Sequence, residues 1–249
     1  MKEEDTSLSI GIDIGGSHIS AGYVDINAIV HSYQSIEIDG EVLTTVGLVK
    51  KIVTLIYTII NENTLLVLSQ IGICCPGHCK NGIIVAAANF PLLSNVNICE
   101  LIAERFSNTR VILTNDADAA LYAELLSPLN SLKYKGVKHA AMISIGTGIG
   151  VSLYLNSALY TGHNSLIEGG HSIIDFTSEA RQCVCGQKGC VEAYASAKSM
   201  ISQMNEGEQG IQCSNAKEIF NLAFAGDERA KAVLGKVDYL LHSLITFYL

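Results

Sequence analysis

The chain has 249 residues, of which 49% are hydrophobic and 16% are charged, and its formal net charge at pH 7 is −8. This composition excludes a disordered chain, which needs low hydrophobicity and high charge. The acidic balance, without a cluster of Lys and Arg, argues against nucleic-acid binding through phosphate neutralisation. No apolar run reaches the ~18 residues of a membrane helix, and the acidic N-terminus does not resemble a signal peptide. We therefore expect a cytoplasmic protein without a membrane partner.

The first half of the chain alternates predicted strands and helices. Apolar alternation and bounding turns predict six strands, over residues 8–13, 19–25, 28–38, 65–74, 82–88 and 111–114. Apolar residues at helical spacing predict helices over residues 43–61, 96–106 and 116–126. The first three strands are expected to form an antiparallel meander. The fourth is an almost continuous apolar run, which is typical of a strand buried on both faces.

The second half of the chain opens as the first does, with a strand, a glycine turn and a hairpin. Strands are predicted over residues 140–145, 151–155 and 158–161, with a tight turn at Asn156 and Ser157. From residue 191 to the end the pattern is mostly helical. The repetition of this strand, glycine turn and hairpin in both halves predicts two lobes, residues 1–127 and residues 128–249.

The glycine turn after the first strand is a candidate phosphate site. Adjacent glycines let backbone N–H groups approach a phosphate closely. A carboxylate at the strand end can hold Mg²⁺ or its water shell, and a hydroxyl can donate to phosphate. The alternative is an ordinary tight hairpin whose aspartate caps the turn. The residues concerned are Asp13, Gly15, Gly16, Ser17 and His18.

A second glycine turn opens the second half of the chain. It follows the strand over residues 140–145 and contains three glycines in five residues, which again favours close approach of the backbone to an anion. One such turn is weak evidence for a phosphate site, but two, each after an apolar strand, suggest two lobes binding one nucleotide. The residues concerned are Gly146, Thr147, Gly148 and Gly150.

Two polar segments follow strand ends. Asn115 and Asp116 stand between a short strand and a helix, where ligands often bind in α/β sheets. A carboxylate there can accept a proton from a substrate hydroxyl, although capping of the helix is the stronger interpretation of the pair taken alone. Cys74, Cys75 and Cys79 surround a Pro-Gly turn. We interpret the first two as the end of a buried strand and Cys79 as part of a loop, rather than as a second metal site.

The most specific pattern combines one histidine with three cysteines: His171, Cys183, Cys185 and Cys190. These are the residue types of a Cys₃His zinc site, and four protein ligands make such a site closed and structural. The alternative is a cysteine-bearing loop without metal. Glu192 begins a helix just after the last cysteine, so a bound ion would fix the direction of its carboxylate.

Together these motifs resemble the ROK family of sugar kinases and sugar-responsive repressors. Residues 13–18 are similar to the family's Asp-x-Gly-Gly-Thr-Lys motif. Residues 76–77, 115–117 and 146–150 resemble its Pro-Gly, Asn-Asp-Ala and second glycine segments. Two further segments, residues 168–171 and 183–192, resemble its sugar and zinc signature. The resemblance extends over residues 8–200.

The resemblance implies an α/β, two-lobed, actin/hexokinase-like (ribonuclease H-like) fold with a cleft between the lobes. It implies transfer of the γ-phosphoryl group of ATP to a hexose or N-acetylhexosamine hydroxyl, as in a glucokinase or fructokinase. Asp116 is implied as the base that accepts the hydroxyl proton. Implied cofactors are Mg²⁺ and a structural Zn²⁺ on the four residues above, and a homodimer is expected. The implied sugar-binding residues are Asn89, Asn115, Asp116, Glu168, His171 and Glu192.

Three features depart from the family pattern. Residues 89–93 lack the family's Gly-Trp, which leaves the identity of the sugar open. His18 replaces a lysine and removes a fixed positive charge. The chain ends at Leu249, where the family continues through a further unit that holds adenosine, so we expect an incomplete second lobe. The seven residues before Leu8 leave no room for a repressor's DNA-binding domain. We therefore expect a kinase; the alternative is a sugar-binding ROK protein with weak or no kinase activity.

Overall fold

The computed structural model describes residues 7–38, 44–87, 93–130, 133–163, 167–206 and 212–248. The strands are, in chain order, β1 Ser7–Ile14, β2 His18–Val24, β3 Val30–Glu37, β4 Val67–Cys75, β5 His78–Lys80, β6 Ile83–Ala86, β7 Val96–Asn97, β8 Arg110–Asn115, β9 Ala140–Ile145, β10 Ile149–Leu155 and β11 Ala158–Tyr160. The α-helices are α1 Thr45–Glu62, α2 Ile98–Ala103, α3 Asp116–Leu126, α4 Glu192–Ala195, α5 Ala197–Asn205, α6 Ala216–Phe224 and α7 Glu228–Tyr248.

Contacts divide the chain into two units. The first comprises Met1–Ala140 and Leu153–Leu166, and the second comprises Ala141–Ser152 and Ile167–Leu249. The chain passes from the second unit into the first within β10. The division of the sequence into lobes at residue 128 stays a prediction.

The first unit contains a five-stranded sheet with the order β3-β2-β1-β4-β8. The predicted meander is confirmed, since β1 pairs antiparallel with β2 and β2 with β3. The strands β1, β4 and β8 are parallel, and Asp13, Cys74 and Thr114 lie in one row across them. Because the carboxyl ends of parallel strands meet at one edge of a sheet, Asp13 and the residues that follow β8 lie at the same edge.

Much of the core of the first unit lies between this sheet and α1, and β6 and α2 add further buried residues. Alternate residues of β1 are buried, as the period of a strand requires. Helix α1 begins after Thr44, whose side chain accepts from the backbone N–H of Gly47, and it buries a stripe of apolar residues. Each fully buried Leu or Ile contributes about 1.5–3 kcal/mol relative to an exposed one. These residues are Leu8, Ile10, Ile12 and Ile14 of β1 and Leu48, Ile52, Ile56 and Ile59 of α1.

The expectation that the strand at residues 65–74 is buried on both faces is wrong. In β4, Ile71, Ile73 and Cys75 are buried in the core, whereas Val67 is exposed. The residues between them are only half-buried, and a Cβ at Gly72 would contact nothing within 4 Å. The second face of the strand is therefore covered in part, although its sequence is apolar.

Two further elements differ from the sequence prediction. The helix expected over residues 96–106 is shorter: β7 precedes it, and the side chain of Asn97 caps α2 by accepting from Glu100 N. Cys79, expected in a loop, lies in β5 and is buried. Strand β5 pairs antiparallel with β6. The turn between β4 and β5 contains Gly77 at φ +90°, in the left-handed region that favours glycine.

The second half of the chain repeats the opening of the first, as predicted. The strands β9, β10 and β11 form a three-stranded sheet in the order β11-β10-β9. The turn between β10 and β11 consists of Asn156 and Ser157, at φ +53° and +63°. Two consecutive positive φ angles are typical of the type I′ turn, whose twist suits a two-residue hairpin.

Helices make up most of the rest of the second unit. Asp227 caps α7 by accepting from the N–H of Ala230, and one stripe of α7 is buried. Its buried residues are Ala230, Val233, Val237, Leu240 and Leu244. A cavity of about 440 Å³ lies among α5, α6, α7 and Ile145, and apolar side chains line most of it. Among the described residues, no helix combines the length and the apolar character that crossing a bilayer requires.

Candidate functional site

In the first unit, the carboxyl edge of the parallel strands brings three of the chemically active side chains together. Asp13 lies near the end of β1 and Cys74 near the end of β4, and the thiol of Cys74 donates to Oδ1 of Asp13 over 3.3 Å. Asp116 follows β8 directly and is the first residue of α3. Burial raises the pKa of the Cys74 thiol, and the charges of Asp13 and Asp116 raise it further, as expected of three groups that lie at one edge of the sheet.

The electrostatics of this edge favour a carboxylate that accepts protons more readily than usual. Desolvation raises the pKa of Asp116 above its ordinary value of 3.8, and the charge of Asp13 raises it further. A hydrogen bond from the backbone N–H of Ala117 to Oδ1 of Asp116, 2.9 Å long, acts in the opposite direction. The result is a base at the strand edge with a raised pKa.

Asn115 orients this base through the backbone. Its Oδ1 accepts from the N–H groups of Ala117 and Asp118, at 2.9 and 3.2 Å, so it caps α3, which was the stronger interpretation of the pair taken alone. Its Nδ2 donates to the carbonyl of Gly77 over 3.1 Å. One side chain therefore joins the start of α3 to the turn between β4 and β5. A direct role of Asn115 in sugar binding stays a prediction.

The first glycine turn forms a closed hairpin between β1 and β2. The N–H of Gly15 donates to the carbonyl of His18 over 2.9 Å. The hydroxyl of Ser17 and Nδ1 of His18 lie 2.9 Å apart and share a hydrogen bond. Both side chains are exposed. This geometry suits either a phosphate site or a plain hairpin, and the role of these residues stays a prediction.

In the second unit, the histidine and the three cysteines converge as their spacing suggested. The candidate ligand atoms of His171, Cys183, Cys185 and Cys190 all lie within 4.8 Å of one another. The sulfurs of Cys185 and Cys190 are 3.7 Å apart, and Cys183 Sγ is 3.5 Å from His171 Nδ1. A tetrahedral zinc ion with ordinary bond lengths separates two sulfurs by about 3.8 Å and a sulfur from a nitrogen by about 3.5 Å. The four side chains therefore fit a zinc ion.

Backbone hydrogen bonds shape the loop that carries the cysteines. Cys183 N donates to Gln187 O over 2.8 Å, and Gly186 N donates to Cys183 O over 3.1 Å. Gly189 has φ +82°, and a Cβ there would lie 1.9 Å from the carbonyl oxygen of Asp175. Only glycine allows this approach, so the loop can bring its cysteines together without a side chain between the two segments.

Sequence reasoning missed a polar network around the buried side chain of Tyr194, next to this loop. The hydroxyl of Tyr194 donates to Oδ2 of Asp175 over 2.5 Å and accepts from the N–H of Arg181 over 2.8 Å. Tyr194 is 1% exposed and packs with Cys183, Cys190 and Leu240. The ammonium group of Lys236 lies 4.4 Å from the centre of its ring. The long intervals in sequence between these residues gave no local pattern that could have indicated the network.

Three predicted sugar ligands also lie in the second unit. The Nε2 atom of His171 lies 4.0 Å from Oε2 of Glu168, while Nδ1 faces the cysteines, so the two ring nitrogens face different partners. Glu192 begins α4, and its Oε2 accepts from the N–H of Ile149 in the second glycine turn over 3.0 Å. The sequence did not predict this bond between two of its own motifs. Asn89 lies outside the described residues.

Comparison of the chain with known proteins identifies a family and related proteins of known name. The chain matches the ROK family over residues 9–248. It is 28% identical to the glucokinase of Thermotoga maritima, across 96% of the chain and 77% of that protein. It is 31% identical to the xylose repressor of Bacillus spizizenii, across 88% of the chain but only 55% of the repressor. The expectation of an incomplete second lobe stays a prediction.

A solved structure is similar over nearly the whole chain. It is a ROK family glucokinase from Streptomyces griseus in complex with glucose and AMPPNP, with a TM-score of 0.76 and 23% identity, covering 97% of this chain and 80% of that one. This likeness confirms the expected actin/hexokinase-like α/β fold. The family match spans far more than half of the sequence, and the chain therefore belongs to the ROK family.

Proposed function

We propose that the chain phosphorylates a hexose hydroxyl with ATP. The observation that carries the proposal is the pair of carboxylates at the strand edge of the first unit. Asp116 begins α3 directly after β8, and desolvation together with the charge of Asp13 raises its pKa. A base of raised pKa is better matched to taking a proton near neutral pH than an ordinary aspartate is.

In the proposed reaction, the sugar hydroxyl donates a hydrogen bond to Asp116. Its oxygen attacks the γ-phosphorus of ATP, the bond to the β-phosphate oxygen breaks, and the electron pair leaves with ADP while Asp116 takes the proton. Phosphoryl transfer depends mainly on positioning and on stabilisation of the transferred charge. We assign Asp13 to Mg²⁺ or its water shell, and the ion supplies neutralisation of the phosphate charge when bound.

We assign backbone N–H groups of the two glycine turns to the ATP phosphates. The first turn comprises Gly15, Gly16, Ser17 and His18, and the second comprises Gly146, Thr147, Gly148 and Gly150. The hydroxyls of Ser17 and Thr147 are exposed and can donate to phosphate oxygens. This assignment is supported by the repetition of the strand, turn and hairpin in both halves of the chain.

We assign recognition of the sugar hydroxyls to Glu168, His171 and Glu192, together with Asn89 and Asn115. Carboxylates and imidazole suit a polyol because each can pair with an individual hydroxyl. The assignment of His171 is supported by its two-sided geometry, with Nδ1 towards the cysteines and Nε2 on the side of Glu168. A hexose and an N-acetylhexosamine are both candidate substrates, and a panel of sugars decides between them.

We also propose that His171, Cys183, Cys185 and Cys190 hold a structural zinc ion. Four protein ligands would leave no open coordination position, so a bound ion would stabilise the loop and take no part in the reaction. Binding through Nδ1 would hold the His171 ring in one orientation. This proposal is supported by the ligand spacings of 3.5 and 3.7 Å. The homodimer and the cytoplasmic location stay predictions.

A second candidate function is sugar binding without efficient catalysis. Two observations favour it: His18 stands where the family has a lysine, and one relative of the chain is a xylose repressor. In this case the chain binds the sugar but transfers phosphate slowly or not at all. Calorimetry that finds sugar binding without nucleotide binding would support this candidate over the kinase.

The experiment is a coupled assay of ADP release over a panel of hexoses and N-acetylhexosamines, with zinc-replete protein. We expect turnover that depends on one of these sugars. Asp116→Asn is expected to lower kcat by at least about 100-fold while leaving much of the sugar affinity, as loss of a positioned base does. Asp118→Asn, two residues further along the same helix, is the matched control and is expected to keep its turnover. Equal activity of Asp116→Asn and the wild type would contradict the proposed base.

A further inference from the structure

Two hydrogen bonds join the second glycine turn, residues 146–150, to the segment that follows the last cysteine. Oε2 of Glu192 accepts from the N–H of Ile149 over 3.0 Å. The N–H of Ala197 donates to the carbonyl of Gly146 over 2.9 Å. The turn is therefore held near both of its ends by α4 and the start of α5. All of these residues belong to the second unit.

The turn is also shaped to admit the carboxylate of Glu192. A Cβ at Gly148 would lie 2.5 Å from Oε2 of Glu192 and 3.4 Å from its Cδ. A Cβ at Gly146, by contrast, would meet nothing within 4 Å. Of these two glycines, only Gly148 lies where a side chain would displace the Glu192 carboxylate. The hydrogen bond from Ile149 to Glu192 therefore depends on glycine at position 148.

The two oxygens of the carboxylate have different surroundings. Oε2 is committed to the backbone of the turn, whereas within the part of the chain that the structure describes Oε1 accepts no hydrogen bond. Oε1 therefore remains available to a ligand hydroxyl. One side chain can then bind the sugar through Oε1 and fix the turn through Oε2.

We propose that Glu192 is a positioning residue for the nucleotide as well as a ligand of the sugar, because its carboxylate fixes the turn that receives the ATP phosphates. This inference rests on the proposed kinase function. It predicts that removing the carboxylate lowers the affinity for ATP, which is the opposite of what charge alone predicts. Removing a negative charge beside a phosphate site strengthens anion binding if charge alone matters, whereas removing a positioning bond weakens it.

The experiment measures the affinity for a non-hydrolysable ATP analogue with Mg²⁺, by calorimetry in the absence of sugar. Glu192→Ala and Gly148→Ala are expected to weaken binding by about tenfold, the scale of one hydrogen bond to a charged group. Glu192→Gln keeps an acceptor oxygen and is expected to restore most of the affinity. Glu228→Ala removes a carboxylate from an exposed position on α7 of the same unit and is expected to change nothing.

Amide hydrogen exchange gives a second readout that does not depend on activity. The Ile149 amide is expected to exchange more slowly in the wild type than in Glu192→Ala or Gly148→Ala. Nucleotide affinity in Glu192→Ala that equals or exceeds the wild type would overturn the inference, and Gly148→Ala repeats the test if the first variant does not fold. A wild-type chain that binds sugar but no nucleotide would instead overturn the proposed function, and this inference with it.

Discussion

The thiol of Cys74 donates a hydrogen bond to Oδ1 of Asp13 over 3.3 Å, between residues in the same row of two parallel strands. Burial of the thiol, followed by the charge of Asp13, raises the pKa of Cys74 well above its ordinary value of 9.0. Cys74 is therefore a neutral donor near pH 7. It restrains the Asp13 carboxylate without adding a charge beside it.

This bond predicts that Cys74→Ala impairs the use of MgATP. Asp13 loses its side-chain donor, and a typical intramolecular hydrogen bond contributes about 0.5–1.5 kcal/mol, so the KM for MgATP is expected to rise about two- to tenfold. Cys74→Ser keeps a donor and is expected to stay within about twofold of the wild type. Steady-state kinetics with varied ATP check this. Cys99→Ala, a half-buried cysteine away from the strand edge, is the control, and an unchanged KM in Cys74→Ala would contradict the role.

The raised pKa of Asp116 predicts a shifted acid limb of the pH–rate profile. The base must be ionised, so activity is lost as the pH falls through its pKa, and a raised pKa moves this loss to a higher pH than that of an ordinary aspartate. Asp13→Asn removes the neighbouring charge and is expected to lower the pKa of Asp116. An NMR titration of the Asp116 carboxyl carbon measures both values without needing turnover. A midpoint at or below 3.8 in the wild type would contradict the argument.

The elements that the sequence predicted best are those with local signals. Helix α3 begins and ends at the predicted residues because Asn115 is both the end of a strand and a strong cap. The hairpin at Asn156 and Ser157 was likewise visible as a turn pair between apolar runs. The burial of β4 was predicted wrongly because it depends on what covers each face of the sheet, which no local pattern records.

In the candidate site, too, features close together in sequence were predicted, and contacts between distant residues were not. The spacing of the cysteines predicted their cluster with His171 because the four residues are close in sequence. The bond from Ile149 to Glu192 spans 43 residues, and the thiol of Cys74 reaches Asp13 across 61 residues. Such contacts follow from the sheet order and the packing of helices. A single sequence does not specify them.

The convergence of the four ligands predicts that protein purified in the presence of zinc retains a bound zinc ion. Cys185→Ser removes one ligand and is expected to lower zinc affinity by more than about 100-fold, since even partners outside the coordination shell contribute 10–100-fold. Thermal stability is expected to fall with metal content because the ion joins segments that are 12 residues apart in sequence. Elemental analysis and thermal unfolding check this. Cys99→Ser is the control and is expected to retain the metal, whereas a metal-free wild type would contradict the site.

The buried hydroxyl of Tyr194 predicts a measurable contribution to stability. Tyr194→Phe keeps the ring and its contact with Lys236 but leaves the N–H of Arg181 and the carboxylate of Asp175 without this partner. Losing a partner of a buried donor costs about 1–3 kcal/mol, so the free energy of unfolding is expected to fall by that amount in urea titrations.

The matched control for this substitution is Tyr134→Phe. Its hydroxyl also donates to a carboxylate, Oε1 of Glu124 over 3.2 Å, but at an exposed position. We expect this control to change the free energy of unfolding by less than about 0.5 kcal/mol, as surface substitutions usually do. Equal effects of the two substitutions would show that water replaces the Tyr194 hydroxyl.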